Sequence, residues 1–219
     1  MKKKKFVVLG LGIFGSTLAR DLYNYGHDVI AIDNIMPNVE RMSTEISDVL
    51  CLDFTDLEQL KKAGIADCDV GIITTGSKLE DAILGTLNLK ELGINEIIVK
   101  AKNTVNAEIL KKIGATTTIS PEKDAAKHTA KKLSVGNVVD VFDIDKNYSI
   151  YETVVDEKWD GLSMIDLQLR SKYNVNVIGI RRDEVLTPNF SPNDKFKKGD
   201  EVLFVTDSEG FKKIYNLKK

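Results

Sequence analysis

The chain has 219 residues, of which 42% are hydrophobic and 29% charged, so one large domain or two modest ones with packed cores are expected. Lys and Arg number 31 and Asp and Glu 33, and the resulting net charge of -2 gives no support for nucleic acid as the main partner. The two cysteines, Cys51 and Cys68, lie in apolar stretches and are expected to be small buried side chains in a reducing compartment.

The first segment, Lys2–Lys5 followed by FVVLGLGIFG, resembles the start of a signal peptide, with a basic region before an apolar one. However, Gly10, Gly12 and Gly15 interrupt the apolar run, and no A-x-A cleavage pattern follows. No later stretch reaches the ~20 apolar residues that a membrane-spanning helix needs. A membrane role is therefore expected to come through a partner.

Short apolar runs alternate with helical patterns from Phe6 to about Ile119. The runs are FVVLG, DVIAID, DVLCL, DVGIITTG, EIIVKA and TTTIS. They are rich in β-branched residues, as is typical of parallel strands covered on both faces. Capping boxes at Thr55 and Ser77, and Ser120 before Pro121, predict helix starts, and four glycines mark helix ends: Gly26, Gly64, Gly93 and Gly114. This pattern predicts a doubly wound, Rossmann-like α/β domain over residues 1–134.

The pattern changes after a linker at residues 134–137. The segments VVDVFDID, YSIYETVVD, NVNVIGIRR and EVLFVT are typical of strands. One short helix is predicted from about Ser163 to Lys172, and a final one from about Ser208. The β-β-α-β-β-α order predicts a small α+β domain over residues 135–219.

The segment Gly10-Leu11-Gly12-Ile13-Phe14-Gly15 is a G-x-G-x-x-G motif between the first predicted strand and helix, and Asp33 follows at the end of the second strand. Gly10 permits a tight turn, Gly12 lets the backbone approach a pyrophosphate, and Gly15 allows close helix–strand packing. Asp33 can accept hydrogen bonds from ribose hydroxyls, which disfavours binding of a nucleotide with a 2′-phosphate. We therefore predict a nucleotide or dinucleotide site; the alternative is a glycine turn without a ligand.

Two further segments lie at predicted carboxyl ends of strands, where open α/β sheets bind ligands. They are Asp53-Phe54 and Thr74-Thr75-Gly76. For each, a helix cap or turn is the alternative.

An NAD-dependent oxidoreductase is the main alternative function, because a Rossmann domain most often serves a dehydrogenase. Such an enzyme needs a proton donor or acceptor beside the nicotinamide. His27 lies at the amino end of the second strand, and His128 lies beside lysines on a helix where it is expected to be solvated. No catalytic Ser/His/Asp or Cys/His pattern is present, so we predict that the chain is not an enzyme, although a Lys or Tyr acid stays open.

In its motifs the chain resembles the regulator-of-potassium-conductance (RCK) family, the cytosolic subunits of Ktr and Trk potassium uptake systems. The resemblance rests on GLGIFG, DVIAID, LDFTD, DVGIITTG, VKAKN and ISPEKDAAK, and in the second half on YSIYETVV, GLSMIDLQLRSKYNVNVIGIRR and KKGDEVLFV. It covers nearly the whole chain and is particularly close to Ktr-type and cyclic-di-AMP-binding members of Gram-positive bacteria.

The resemblance implies a Rossmann domain that binds ATP, ADP or NAD(H), and a C-terminal domain that dimerises. Such subunits commonly form an octameric ring beneath a membrane potassium-translocating partner, which places the chain in the cytoplasm at the inner face of the membrane. The nucleotide residues implied are Gly10, Gly12, Ile13, Phe14, Gly15, Asp33, Asn34, Asp53, Phe54, Thr75, Gly76, Lys100 and Glu122. Glu122 is similar to an acidic residue placed near a divalent cation at the phosphates; its alternative is an acid favoured by the helix dipole.

The family resemblance also implies a cyclic-di-AMP site in the C-terminal domain. Its implied residues are Met164, Ile165, Gln168, Leu169, Arg170, Val175, Asn176 and Pro188, of which Arg170 would pair with phosphate. Two positions depart from the family: Ile13 stands where several ATP-sensing relatives carry Arg, and Gln168 where many carry Asp. The departure at Ile13 favours NAD as the nucleotide. The departure at Gln168 weakens the cyclic-di-AMP assignment; the alternative for this segment is an ordinary core helix with a surface arginine.

We interpret the chain as part of a two-state ring that shifts with differential ligand affinity, with cyclic-di-AMP as a separate, inhibitory input. A regulator of another transporter and a stand-alone cyclic-di-AMP-binding protein share the same motifs and stay as alternatives.

Overall fold

A computed structural model describes residues 2–75, 78–135, 138–188 and 190–217. The chain divides into two compact units, Met1–Pro121 and Glu122–Lys219. The first is a parallel sheet with helices and the second is built on an antiparallel sheet, which confirms the predicted fold class. Among the described residues, no helix combines the length and apolar character needed to cross a bilayer.

The first unit alternates strands and helices along the chain. Its strands are β1 (Lys5–Leu9), β2 (Asp28–Asp33), β3 (Asp48–Cys51), β4 (Val70–Ile73), β5 (Glu96–Lys100) and β6 (Thr117–Ile119). Its helices are α1 (Ile13–Asn24), α2 (Met36–Ser43), α3 (Leu57–Lys62), α4 (Leu79–Glu91) and α5 (Thr104–Ile113), with a 3-10 turn at Ile65–Asp67. The strands pair in the order β3-β2-β1-β4-β5-β6, so the strand order reverses between β1 and β4.

Both faces of this sheet are buried, which explains the uninterrupted apolar runs. In β1, Val7 and Leu9 belong to one core cluster, whereas Phe6 and Val8 belong to another. Successive side chains of a strand point to opposite faces, so each residue of such a strand must be apolar. The two edge strands, β3 and β6, are exceptions, since neither contains a fully buried residue.

One helix of the first unit is capped one residue later than the sequence predicts. The helix α3 is capped by Asp56, whose carboxylate accepts hydrogen bonds from the N–H groups of Glu58 and Gln59. The predicted capping box at Thr55 is therefore wrong, since the Thr55 hydroxyl donates to Asp53 at 2.7 Å instead. Ser77 lies outside the described residues. The four predicted helix-ending glycines all have positive φ angles, as expected for residues that stop helices.

The second unit begins with α6 (Pro121–Ser134), most of which lies in Glu122–Lys219. Its strands are β7 (Val138–Asp143), β8 (Tyr148–Val154), β9 (Asn176–Arg182), β10 (Val185–Thr187) and β11 (Glu201–Asp207). Its other helices are α7 (Met164–Leu167), α8 (Leu169–Tyr173) and α9 (Ser208–Leu217). The strands pair antiparallel in the order β10-β9-β11-β8-β7. The placement of α6 in the first domain, with a boundary after residue 134, stays a prediction.

An aromatic cluster forms the core of the second unit. Trp159, Phe196 and Phe204 are at most 1% exposed, and Tyr151 stacks on Phe211 with ring centroids 4.2 Å apart. Such a core explains how a small antiparallel sheet with short helices can hold together, since each aromatic ring buries a large apolar area.

None of the residues of α6 is buried, so its contacts with neighbouring elements are made mainly by polar side chains at the surface. His128 is exposed, as expected for a solvated side chain, and its Nε2 also lies 3.0 Å from an Asp140 carboxylate oxygen, with its ring centroid 5.8 Å from that of Phe142. Lys131 pairs with Asp143 and also donates to the Ser149 hydroxyl at 2.8 Å.

The two thiols differ in exposure and reactivity. Cys68 is buried, as predicted, whereas Cys51 is exposed because its strand is at the sheet edge, so the prediction for Cys51 is wrong. Burial raises the pKa of the Cys68 thiol to about 11, which keeps it protonated at neutral pH. We expect one fast thiol in a titration of the native chain at about pH 8, and two after denaturation. The Cys51→Ser control should leave no fast thiol; fast reaction of that variant would contradict the burial of Cys68.

Candidate functional site

A tight glycine turn follows β1 at the carboxyl edge of the first sheet. Gly10 has φ of 96°, which favours glycine, and its N–H donates to the Ile32 carbonyl at 2.8 Å. The Thr74 hydroxyl, just after β4, donates to the Gly10 carbonyl at 2.7 Å. The turn therefore lies where the strand order reverses, the place at which open α/β sheets bind their ligands.

Gly15 and Gly12 are required for different reasons. A Cβ atom on Gly15 would lie 2.0 Å from the Gly10 carbonyl oxygen and 2.4 Å from the Thr74 hydroxyl, so α1 can approach the turn only with glycine there. A Cβ atom on Gly12 would meet nothing within 4 Å. The chain itself thus has no packing need for glycine at position 12, and the close approach of a ligand would supply one.

The N-terminus of α1 is open to an anion. Gly12 occupies the N-cap without a side-chain hydrogen bond, and the first turn contains no acidic residue. The first N–H groups of a helix have no acceptor within the helix, and the dipole favours negative charge there. Ile13 is 91% exposed at this end, and Phe14 is half-buried. The geometry fits a phosphate group held by backbone donors.

Asp33 at the end of β2 is buried and already serves as an acceptor. Its Oδ2 accepts from the Leu11 N–H at 2.6 Å and from the Asn38 side-chain amide at 3.2 Å. Its Oδ1 accepts from the Ile35 N–H at 2.8 Å. A carboxylate has about four acceptor positions, so Oδ1 retains room for one hydroxyl donor such as that of a ribose.

The neighbouring Asn38 and Arg41 were missed by the sequence analysis. The Arg41 Nη2 donates to the Leu11 carbonyl at 3.0 Å and to the Asn38 side-chain oxygen at 3.2 Å. Their spacing of three residues in the helix after Asp33 places both on one helix face, and this spacing was the available signal.

The other predicted nucleotide residues differ in accessibility. The Asp53 carboxylate accepts from the Thr55 N–H and hydroxyl at 2.9 and 2.7 Å, so it forms a local turn after β3. Phe54 is 7% exposed and packs in the sheet core, where a Cβ on Gly85 would lie 3.1 Å from its ring. The structure thus gives both residues local structural roles, and their part in nucleotide binding stays a prediction.

The remaining predicted residues are spread over both units. Asn34 is exposed after β2, Thr75 is half-buried after Thr74, and Lys100 is half-buried at the end of β5. Gly76 lies outside the described residues. Glu122 is exposed in the first turn of α6, in the second unit. Within the described ranges, no group of three His, Cys, Asp or Glu side chains could hold a metal ion, and the cation role of Glu122 stays a prediction.

The second unit has a cavity of about 510 Å³ beside α7 and α8. Its lining residues are Met164, Ile165, Gln168, Leu169, Arg170, Ser171, Val175, Asn176, Val177 and Pro192. This set contains all the residues predicted for cyclic-di-AMP except Pro188, which is exposed and does not line the cavity. Pro192 lines it and was not predicted. The cavity therefore joins apolar walls to one cation and two amide side chains, a composition suited to an aromatic ligand with phosphates.

A bend between two short helices shapes this cavity. Gln168 has φ of 51° and separates α7 from α8, which projects the buried Leu169 inward and leaves Arg170 exposed. Within the described part of the chain, the Arg170 guanidinium has no ion pair. It is therefore available to an anionic ligand.

The start of α7 is fixed by a capping box. Ser163 Oγ accepts from the Asp166 N–H at 3.1 Å, and the Asp166 carboxylate accepts from the Ser163 N–H at 2.9 Å. Lys195 Nζ also donates to Asp166 at 2.6 Å, which ties the segment carrying Pro192 to the cavity wall.

The Asp166 pair makes stability depend on pH. Its hydrogen bond with Lys195, and then those with Ser163, lower the pKa of Asp166 to about 2. Because the unfolded value is about 3.9, its contribution is present above about pH 4 and is lost as the pH falls towards 2. We expect the melting-temperature difference between wild type and Asp166→Asn to be largest near pH 6 and to shrink in that window. A difference independent of pH would contradict the pairing.

Fold and site together define a Rossmann-like unit followed by an α+β unit with its own cavity. The first matches the family model of the TrkA-N domain over residues 6–121, and the second matches that of the TrkA-C domain over residues 150–219. The chain is 32% identical over 216 residues to the Ktr system potassium uptake protein A of Bacillus subtilis (strain 168), which covers 99% of this chain and 97% of the relative. It is 33% identical over 214 residues to the Ktr system potassium uptake protein C of that strain, covering 96% and 97%. The chain therefore belongs to the TrkA-N/TrkA-C (RCK) family, which confirms the resemblance found in its motifs.

Solved structures share the fold. The crystal structure of the GsuK RCK domain superposes with a TM-score of 0.64 at 17% identity, over 99% of this chain and 48% of that one. The GsuK channel bound to NAD gives a TM-score of 0.65 at 16% identity, over 100% and 40%.

Proposed function

We propose that the chain is the cytoplasmic regulatory subunit of a membrane potassium uptake transporter, and that it responds to a nucleotide in its first unit and to cyclic-di-AMP in its second. The observation that carries the proposal is the full-length similarity to the Ktr potassium uptake proteins A and C, which includes both units. The proposed oligomer is a homodimer that assembles further into an octameric ring.

The nucleotide part of the proposal is supported by the glycine turn. The open position 12, the uncapped start of α1 and the remaining acceptor position on Asp33 fit a phosphate group and a ribose of one nucleotide. Candidate ligands are ATP, ADP and NAD(H). Ile13 supplies no charge at the helix start, so backbone donors must hold the phosphates. Without a charged side chain to contact a terminal phosphate, the site is less suited to distinguish ATP from ADP, and NAD(H) is the favoured ligand.

The cyclic-di-AMP part is supported by the cavity beside α7 and α8. Met164, Ile165 and Val175 provide apolar surface for adenine, whereas Arg170 and Asn176 provide donors for phosphate and base. Gln168 both donates and accepts, so it can replace a carboxylate acceptor.

Regulation follows if each ligand prefers one of two states of the ring. A ligand shifts the equilibrium only by its difference in affinity between the states, and this shift is transmitted to the attached transporter. The two sites lie in different units, so two ligands can act as separate inputs.

Calorimetric titration of the full chain with cyclic-di-AMP, ATP, ADP and NADH tests the two binding sites. We expect binding of cyclic-di-AMP and of at least one nucleotide, each at micromolar or tighter affinity, with neither ligand displacing the other. Failure of all four ligands to bind would refute the proposal. Oxidation of NADH with any small carbonyl substrate would instead support an oxidoreductase.

A further inference from the structure

A closed set of hydrogen bonds joins α2 to the glycine turn. Arg41 Nη2 donates to the Leu11 carbonyl at 3.0 Å, and the Leu11 N–H donates to Asp33 Oδ2 at 2.6 Å. The Asn38 amide donates to the same carboxylate oxygen at 3.2 Å, and its own oxygen accepts from Arg41 at 3.2 Å. The guanidinium is thereby connected, through Leu11 and Asn38, to the carboxylate proposed to bind ribose.

Arg41 keeps unused hydrogen-bonding capacity. Its two bonds use the hydrogens of Nη2, and its Nε and Nη1 donors have no partner among the described residues, although the side chain is exposed. The nearby Arg20 differs, since its Nε and Nη2 both bind Glu45. The hydrogen bond to Arg20 is the main cause that lowers the pKa of Glu45, and the charge of Arg41 contributes less. Arg41 is therefore a fixed cation with three N–H donors to spare.

Asp33 is linked to this cation through two shared partners. It receives three hydrogen bonds, from the N–H groups of Leu11 and Ile35 and from the Asn38 amide. Arg41 donates to the Leu11 carbonyl and to the Asn38 side-chain oxygen. A carboxylate at the end of the second strand of a Rossmann fold usually selects a free ribose 2′-hydroxyl, whereas a nearby arginine accommodates a 2′-phosphate. Both features are present in this chain.

We propose that Arg41 is a specificity-determining residue that admits a 2′-phosphate on the adenosine ribose, so that the site takes NADPH as well as NADH. The inference rests on the proposed nucleotide site and goes against the simpler expectation from Asp33 alone. The 2′-phosphate bonds to the free Nε and Nη1 donors, while the nicotinamide end plays no part in the choice.

NADH and NADPH differ only in this phosphate, and the fluorescence of both reports binding to the full chain. We expect NADPH to bind wild type within about 10-fold of NADH, because the charge-assisted bonds to Arg41 offset repulsion by Asp33. Arg41→Gln should weaken NADPH by about 10-fold or more and NADH by less than about 3-fold. The affinity for NADPH should also decline more steeply with added salt than the affinity for NADH.

Two control variants separate this role from others. Lys62→Gln removes one exposed positive charge from α3 and should leave the NADH/NADPH ratio unchanged. Arg41→Lys keeps the charge but loses the paired donors, and should give an intermediate ratio. NADH binding with undetectable NADPH binding, or an equal loss of both in Arg41→Gln, would overturn the assignment of Arg41 while leaving the nucleotide site intact. If wild type bound neither dinucleotide nor ATP or ADP, the nucleotide site itself would be refuted.

Discussion

Gly15→Ala is expected to destabilise the first unit by about 3 kcal/mol, which lowers its melting temperature by roughly 10 °C. The reason is steric: the new Cβ would lie 2.0 Å from the Gly10 carbonyl oxygen, and that oxygen is part of the backbone. Relief requires α1 to move away from the sheet, which opens the contact between α1 and the turn. Thermal unfolding followed by circular dichroism measures the effect.

Gly12→Ala is the matched control and is expected to separate binding from stability. The backbone at Gly12, with φ of -63° and ψ of -173°, accepts alanine, and its Cβ would meet nothing within 4 Å. Stability should stay within about 1 kcal/mol of wild type, whereas nucleotide affinity should fall by at least about 10-fold because the methyl group occupies the approach of the phosphates. Unchanged affinity in Gly12→Ala would argue that the phosphates do not lie at this turn.

Arg170→Ala is expected to weaken cyclic-di-AMP binding by about 10- to 100-fold without changing the melting temperature. A charge-assisted hydrogen bond to phosphate contributes roughly 1.5–3 kcal/mol, and the exposed Arg170 side chain has no ion pair among the described residues that its removal would break. Calorimetric titration of both proteins measures the ratio.

Lys172→Ala provides the control for charge alone. Lys172 is exposed in the same helix and is not among the residues that line the cavity. Its removal should change affinity by less than about 3-fold. Equal losses in the two variants would indicate a diffuse electrostatic effect and would contradict a direct phosphate contact with Arg170.

The first unit could be predicted in most of its features because its signals are local. Apolar runs such as FVVLG and DVIAID are long enough to indicate strands buried on both faces, and the glycines at positions 26, 64, 93 and 114 all adopt the positive φ that ends a helix. Edge position is not a local property, however. Cys51 has the same apolar neighbours as a central-strand residue, yet it is exposed because β3 has a partner on one side.

The second unit was predicted less completely, because its details depend on backbone conformations that its residues rarely adopt. The hairpin between β9 and β10 has positive φ at Asp183 and Glu184, where an Asn-Gly or Asp-Gly pair would have been the recognisable signal. The bend at Gln168 divides one predicted helix into α7 and α8 in the same way. Tertiary packing, such as the burial of Leu169, supports these conformations and is not visible in local sequence.

In the candidate sites, too, local signals could be predicted and long-range contacts could not. The glycine motif and Asp33 were found from spacing, since each residue type has a defined physical task in that turn. Asn38 and Arg41 were missed because their contacts join α2 to Leu11 across the chain, and a helix face with Asn and Arg is ordinary in sequence. Pro192 enters the cavity through a loop held by Lys195 and Asp166, a contact that spacing does not predict.

The most direct test of the account is potassium flux through a membrane potassium-translocating subunit reconstituted in vesicles with this chain. The account predicts that the chain copurifies with that subunit and changes its flux, and that the effect depends on the nucleotide bound. The Gly12→Ala variant should still assemble but lose the nucleotide response. A flux that is the same with and without the chain, or an equal nucleotide response in Gly12→Ala, would contradict the claim that this chain gates potassium uptake through its glycine turn.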